Sequence, residues 1–292
     1  MPADTLPPNF VPSPARGRVL VFDSGVGGLS VAACIHQTLP GAELVYLADN
    51  AGFPYGDKPE QVVIERCCTL IRQCLAQFPC DVVVVACNTA STVVLPELRA
   101  NIAVPVVGVV PAVKPAAACS VNRRIGLLAT PATVKRPYLD DLIQEFARDC
   151  KVFRLGHPAL VRWAEELVGG SAPNQVEVDE AMVPLRDAGV DTVVLGCTHY
   201  PLLLPWLRKA LPEVMHWVES GEAIARRVAW WLDQAGQLAG AQTPPGHSGP
   251  VVISACFSGD APDDLGPFMS EMGIPVGLVA GHWPGVTVTG SV

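Results

Sequence analysis

Two short segments place a thiol where chemistry could use it. In ACNTAS (86–91), Cys87 is followed by Asn88 and Thr89; in GCTHYP (196–201), Cys197 is followed by Thr198 and His199. A buried structural cysteine needs no such polar company. A thiol that acts as a base must be held partly ionised, beside cationic or hydrogen-bonding groups. His199 can be that partner or a proton relay. The competing reading is two core cysteines and a surface histidine. A third cluster, FDSGVGGLS (22–30), reads as a strand, a glycine turn and the start of a helix. It suits either an anion site or a plain tight turn. Asp23 in it is either a helix cap or a catalytic carboxylate, and local structure alone favours the cap. The full G-x-G-x-x-G fingerprint and any G-K-[ST] loop are missing.

The elements that must carry these clusters are legible as short apolar, β-branched runs: 18–22, 43–48, 81–86, 104–110, 124–129, 151–155, 191–196, 215–218 and 251–257. Most are continuously apolar, as strands covered on both faces are. The stretches between them have helical spacing. Over 59–78, Val63, Cys67, Leu70, Cys74, Leu75 and Phe78 share one face, which makes Cys67 and Cys74 core residues. Alternating strands and helices predict a parallel-sheet α/β protein. Residues 237–250 read as a Gly/Pro-rich loop.

A faint internal repeat divides the chain. DVVVVACNT (81–89) overlays DTVVLGCTH (191–199), and RVLVFDS (18–24) overlays RIGLLAT (124–130). The expected fold is two similar parallel-sheet α/β lobes, with the active site in the cleft between them. The first lobe spans 18–112 plus 222–292 and the second 113–221, after a disordered tail over 1–17. Ligands of open α/β sheets bind beyond the carboxyl ends of the strands. Two facing lobes would set Cys87 and Cys197 on opposite walls. That arrangement suits inversion of a stereocentre by proton transfer. One group removes the α-proton from one face, another delivers a proton to the other, and pre-placed donors stabilise the developing carbanion.

Composition narrows the class further. The chain has 292 residues, 50% apolar and 16% charged, with net charge −8. So acidic a chain is not suited to gripping nucleic acid or anionic lipid over a broad face. No stretch reads as a membrane span, and the N-terminal residues lack a signal-peptide pattern, so a cytoplasmic location is expected. None of the ten cysteines has C-x-x-C spacing, and neither a disulfide framework nor a metal site is expected. The five lysines lie outside the three clusters, so a Schiff-base cofactor has no obvious host.

FDSGVGGLS, FPYGDK (53–58), ACNTAS and GCTHYPLL, in this order and spacing, resemble the motif set of bacterial glutamate racemases from about Arg18 to Phe268. The resemblance implies cofactor-independent interconversion of L- and D-glutamate, supplying D-glutamate for peptidoglycan, by a homodimer. It implies that Cys87 acts on the D-enantiomer and Cys197 on the L-enantiomer, assisted by Asp23 and His199. It further implies that Ser24, Tyr55, Gly56, Asn88, Thr89, Thr130 and Thr198, with Asp23 and His199, bind substrate. Glu165 falls in register with a further catalytic acid of the family, within H-P-A-L-V-R-W-A-E (157–165). There His157 and Arg162 depart from the family pattern, and Glu165 could equally be an exposed helix acid. Glu219 stands where Asp is more usual. Three rivals remain: racemisation of another acidic amino acid such as aspartate, a thiol hydrolase using Cys197 and His199, and a non-catalytic binding protein.

Overall fold

The computed structural model describes residues 6–7, 10–11, 17–242, 249–285 and 287–291. Most of the tail expected over 1–17, and residues 243–248 of the expected loop, lie outside the described residues. The chain divides into two compact units, Met1–Val109 with Gly221–Val292, and Val110–Ser220.

In the first unit, β1 (Arg18–Asp23), β2 (Glu43–Ala48), β3 (Val82–Val85), β4 (Val106–Gly108), β9 (Val252–Phe257), β10 (Val276–Gly281) and β11 (Thr287–Ser291) form one sheet. Its order is β11-β10-β9-β2-β1-β3-β4. All pairs are parallel except β10 with β11. Beyond the partly buried Arg18 and Glu43 at their first positions, the central strands are buried throughout, which is why their sequences run apolar without alternation. In the second unit, β5 (Arg124–Ala129), β6 (Lys151–Gly156), β7 (Thr192–Leu195) and β8 (His216–Val218) pair in parallel in the order β6-β5-β7-β8.

The repeat seen in sequence has a structural counterpart. The order β2-β1-β3-β4 recurs as β6-β5-β7-β8. The register recurs too: Phe22 pairs with Val85, and Leu128 with Leu195. One residue further on, Ala86 N–H donates to the Phe22 carbonyl and Gly196 N–H to the Leu128 carbonyl, each at 2.7 Å. Both ladders therefore end directly before a cysteine. At the opposite end, Asp81 and Asp191 tie down the start of β1 and the segment leading into β5. Asp81 accepts from the Arg18 backbone N–H at 2.8 Å. Asp191 accepts from the N–H groups of Val121 and Asn122 and from the Ser120 hydroxyl. These bonds hold the Asp191 carboxyl below its ordinary range, outweighing the upward pull of burial.

Helix Glu60–Gln77 buries Val63, Cys67, Cys68, Leu70, Ile71 and Cys74, with Leu75 and Phe78 partly buried against the same core. One reading needs correction. Within the expected loop, Leu238–Gln242 is a short helix whose Ala241 is fully buried and accepts from Gly41 N–H at 2.7 Å. The region after Glu271, for which no strand was read from sequence, holds β10 and β11.

Candidate active site

Adjacent strand ends in the first unit carry one half of the candidate residues. Asp23 closes β1 and is fully buried. The cap reading of Asp23 fails, because the following helix, Gly28–Thr38, is preceded by Gly27 with no side-chain cap. Asp23 instead accepts from Gly25 N–H at 3.0 Å, folding the glycine turn back over the strand end. Gly28 is obligatory here: a Cβ would lie 2.9 Å from Asp23 Cβ and 3.1 Å from the Tyr46 ring.

Ser24 Oγ lies 3.5 Å from Cys87 Sγ and donates to Asp23 Oδ1 at 3.4 Å. Cys87 is in extended conformation just before the short helix Asn88–Ser91, and its sulfur accepts from Ala90 N–H at 3.5 Å. Ser91 fixes the turn by donating to the Val85 carbonyl and accepting from Val109 N–H. Asp23, Ser24, Cys87, Asn88 and Thr89 thus share one strand-end cluster, each at most 9% exposed.

Tyr55 and Gly56 lie in a 3-10 turn, Tyr55–Asp57. Tyr55 is buried, and its hydroxyl donates to Asp49 Oδ2 at 2.6 Å. Burial and the neighbouring carboxylate push its pKa far upward, so it stays a neutral donor. Asp49, Arg66 and Ser258 complete this cluster and were not singled out from sequence. An Asp directly after a strand reads as an ordinary turn residue.

The second unit holds the other half. Cys197, Thr198 and His199 follow β7 and are all buried. His199 Nδ1 lies 3.6 Å from Cys197 Sγ, and its Nε2 lies 2.6 Å from Glu165 Oε1. Glu165 comes from helix Ala159–Val168. Burial opposes charge on this imidazole. The hydrogen bonds to Cys197 and Glu165, with their negative charge, outweigh it and hold the pKa well above the ordinary histidine value. Glu165 is therefore not an isolated exposed helix acid. Thr130 follows β5, and its hydroxyl is occupied with Thr133, donating to Oγ1 at 2.9 Å and accepting from the backbone N–H at 3.1 Å.

Among the described residues, no group of three or more His, Cys, Asp and Glu side chains is arranged to hold a metal ion. No helix among them is long and apolar enough to cross a membrane.

The sequence model of the Asp/Glu/Hydantoin racemase family matches residues 27–228. A curated glutamate racemase of Shewanella loihica is 50% identical over 216 residues, 74% of this chain and 81% of its own length. That of Salmonella paratyphi A is 50% identical over 249 residues, 85% of this chain and 86% of its own. Among solved structures, Escherichia coli glutamate racemase, in complex with L-glutamate and the activator UDP-MurNAc-ala, superposes with a TM-score of 0.81 at 42% identity. The match covers 94% of this chain and all of that one. A Bacillus anthracis glutamate racemase isoform superposes with a TM-score of 0.73 at 30% identity, covering 89% and 96%.

Proposed function

We propose that this chain, which belongs to the Asp/Glu/Hydantoin racemase family, is an enzyme that interconverts L- and D-glutamate and supplies D-glutamate for peptidoglycan. The observation that carries the reading is the doubled strand end: two buried thiols follow equivalent strands, each with its own hydrogen-bonding partners. Relatives at about 50% identity over most of the chain support glutamate as the substrate. The enzyme works in the cytoplasm and as a homodimer, which light scattering tests.

Inversion requires a proton acceptor on one face of the α-carbon and a donor on the other. In the L-to-D direction Cys197 takes the α-proton as thiolate and Cys87 delivers one as thiol; the D-to-L direction exchanges the roles. His199, held by Glu165, stabilises the Cys197 thiolate and then accommodates its protonation. Ser24 and the Ala90 N–H do the corresponding work at Cys87, beside Asp23. The α-proton of an amino acid is very weakly acidic, so the substrate α-carboxylate needs donors that meet the charge as it develops. Ser24, Asn88, Thr89 and Thr198, with the backbone of Tyr55 and Gly56, supply them. Thr130 shapes its turn through Thr133 and presents the remaining contact.

The same Cys–His–Glu line would also serve a thiol hydrolase, which would form an acyl-enzyme and show a kinetic burst. That reading leaves Cys87 and Ser24 without a task. The deciding assay is D-glutamate formation from L-glutamate by the purified chain after exhaustive dialysis against chelator. Turnover persists without added cofactor, and glutamate is preferred over aspartate. Preference for aspartate, or dependence on pyridoxal phosphate or metal, contradicts the reading.

Ser24→Ala and Thr198→Ala test the binding assignment. A hydrogen bond to a charged group contributes about 1.5–3 kcal/mol, so kcat/KM falls by roughly tenfold to a hundredfold in each. Thermal unfolding should shift little. Unchanged kinetics in both variants would remove these residues from the site.

A further inference from the structure

A buried ionic knot lies beside the candidate site, on the first unit's sheet. Asp49 directly follows β2, and its backbone N–H donates to the Asp23 carbonyl at 2.9 Å. It therefore extends the ladder that carries Asp23. Its side chain is fully buried. Oδ1 accepts from Arg66 Nη2 and from Ser258 Oγ, each at 2.6 Å. Oδ2 accepts from Arg66 Nε at 2.7 Å and from Tyr55 OH at 2.6 Å. Four donors fill the four lone-pair positions of one carboxylate. Burial pulls the Asp49 carboxyl upward, but Arg66, Ser258 and Tyr55 together hold it below its ordinary value, so it is ionised.

The knot joins three separate parts of the chain: the strand end of β9 at Ser258, helix Glu60–Gln77 through Arg66, and the turn holding Tyr55 and Gly56. Further bonds tighten it. Ala51 N–H donates to Ser258 Oγ at 3.0 Å, and Gly259 N–H to Asn50 Oδ1 at 2.7 Å. Gly52 admits no side chain, because a Cβ would lie 2.5 Å from Asp49 Oδ2 and 2.6 Å from Arg66 Nε. The Tyr55 ring packs in the same apolar cluster as Cys67 and Cys87, and the Cys67 thiol donates to the Tyr55 oxygen at 3.5 Å.

We infer that Asp49 is a positioning residue for glutamate binding: by holding the Tyr55 hydroxyl, it sets the turn Tyr55–Asp57 against the strand end that carries Asp23 and Cys87. This rests on the proposed racemase function. The phenol's one proton is committed to Asp49, so Tyr55 and Gly56 meet substrate with main-chain groups, and the knot fixes where those groups point. Arg66 and Ser258 act through Asp49 in the same way.

The test is a cycle of Asp49→Asn, Tyr55→Phe and their double variant in the full chain, read as KM and kcat for both enantiomers with thermal unfolding alongside. Asparagine keeps the shape but puts an N–H₂ against a donor. Each single variant raises KM for both enantiomers about tenfold, with a smaller change in kcat. The double variant is no worse than the poorer single one, since both break the same link. Additive losses would mean that the Tyr55 hydroxyl works independently of Asp49, and would overturn the inference. A lowered melting temperature with unchanged KM would also overturn it, because the knot would then be structural only. If Asp49→Asn does not fold, the cycle is run with Ser258→Ala and Tyr55→Phe, and the same criteria apply. The unsubstituted chain separates the two readings. Its failure to racemise glutamate sinks the function, whereas normal racemisation with unmoved KM in the variants sinks only the role of Asp49.

Discussion

Replacing Cys87 or Cys197 with serine abolishes racemisation in both directions while the chain still folds. A free thiol ionises near pH 8.5, and a serine hydroxyl does not. Proton transfer by a positioned side chain contributes about a hundredfold to ten-thousandfold, and inversion needs two such transfers, so either loss is fatal to turnover. Each variant keeps one thiol and so keeps at most exchange of the α-proton on one enantiomer. Cys87→Ser retains at most exchange on L-glutamate, and Cys197→Ser at most exchange on D-glutamate. Cys74→Ser is the control. Cys74 is fully buried in the core of the first unit. A hydroxyl there costs about 1–3 kcal/mol of stability without touching the reaction. Near-normal racemisation in either single variant, or the opposite enantiomer preference, would mean that the bases are misassigned.

The second large effect is expected at Glu165. Its carboxylate is 2.6 Å from His199 Nε2 and helps hold the imidazole protonated against burial. Glu165→Gln removes that charge, so the His199 pKa falls. The imidazolium that supports the Cys197 thiolate is then lost at lower pH. The expected result is a drop in kcat/KM of about tenfold to a hundredfold near neutral pH. It is equal in both directions, because the enantiomers have equal free energy. The alkaline limb of the pH–kcat/KM profile shifts towards lower pH. An alkaline limb that stays in place after Glu165→Gln would show that His199 is not held by this carboxylate during turnover.

How far the sequence revealed this arrangement depended on the range of the interactions. The nine apolar runs became strands because a buried parallel strand has a local signature. β10 was missed because Gly277 and Gly281 interrupt it, and its order comes from pairing with β9. Gly277 is required there, since a Cβ would lie 2.9 Å from the Pro250 ring. The repeat was visible because the Asp at each strand start and the Cys after each strand end are local marks of one recurring ladder. Glu165 could be placed only by its register in a motif; its contact with His199, 34 positions away, arises from packing of a helix against a strand end. Asp49 carried no signal at all, because its three partners, which make four hydrogen bonds to it, come from positions 55, 66 and 258. Nothing local distinguishes such a residue from a turn aspartate. For Asp23 the local cap preference was outweighed by the turn over Gly25.

The central claim is that two thiols on opposite faces invert glutamate. Its most direct test is the fate of the α-hydrogen when L-glutamate is incubated with the dialysed, unsubstituted enzyme in deuterated water, sampled before equilibrium. The account predicts D-glutamate that carries solvent deuterium at the α-carbon from the first turnovers, delivered by a Cys87 thiol already exchanged with solvent, while the remaining L-glutamate still holds its protium. D-glutamate that retains the substrate's own α-proton would contradict it, showing that a single group carries the proton across.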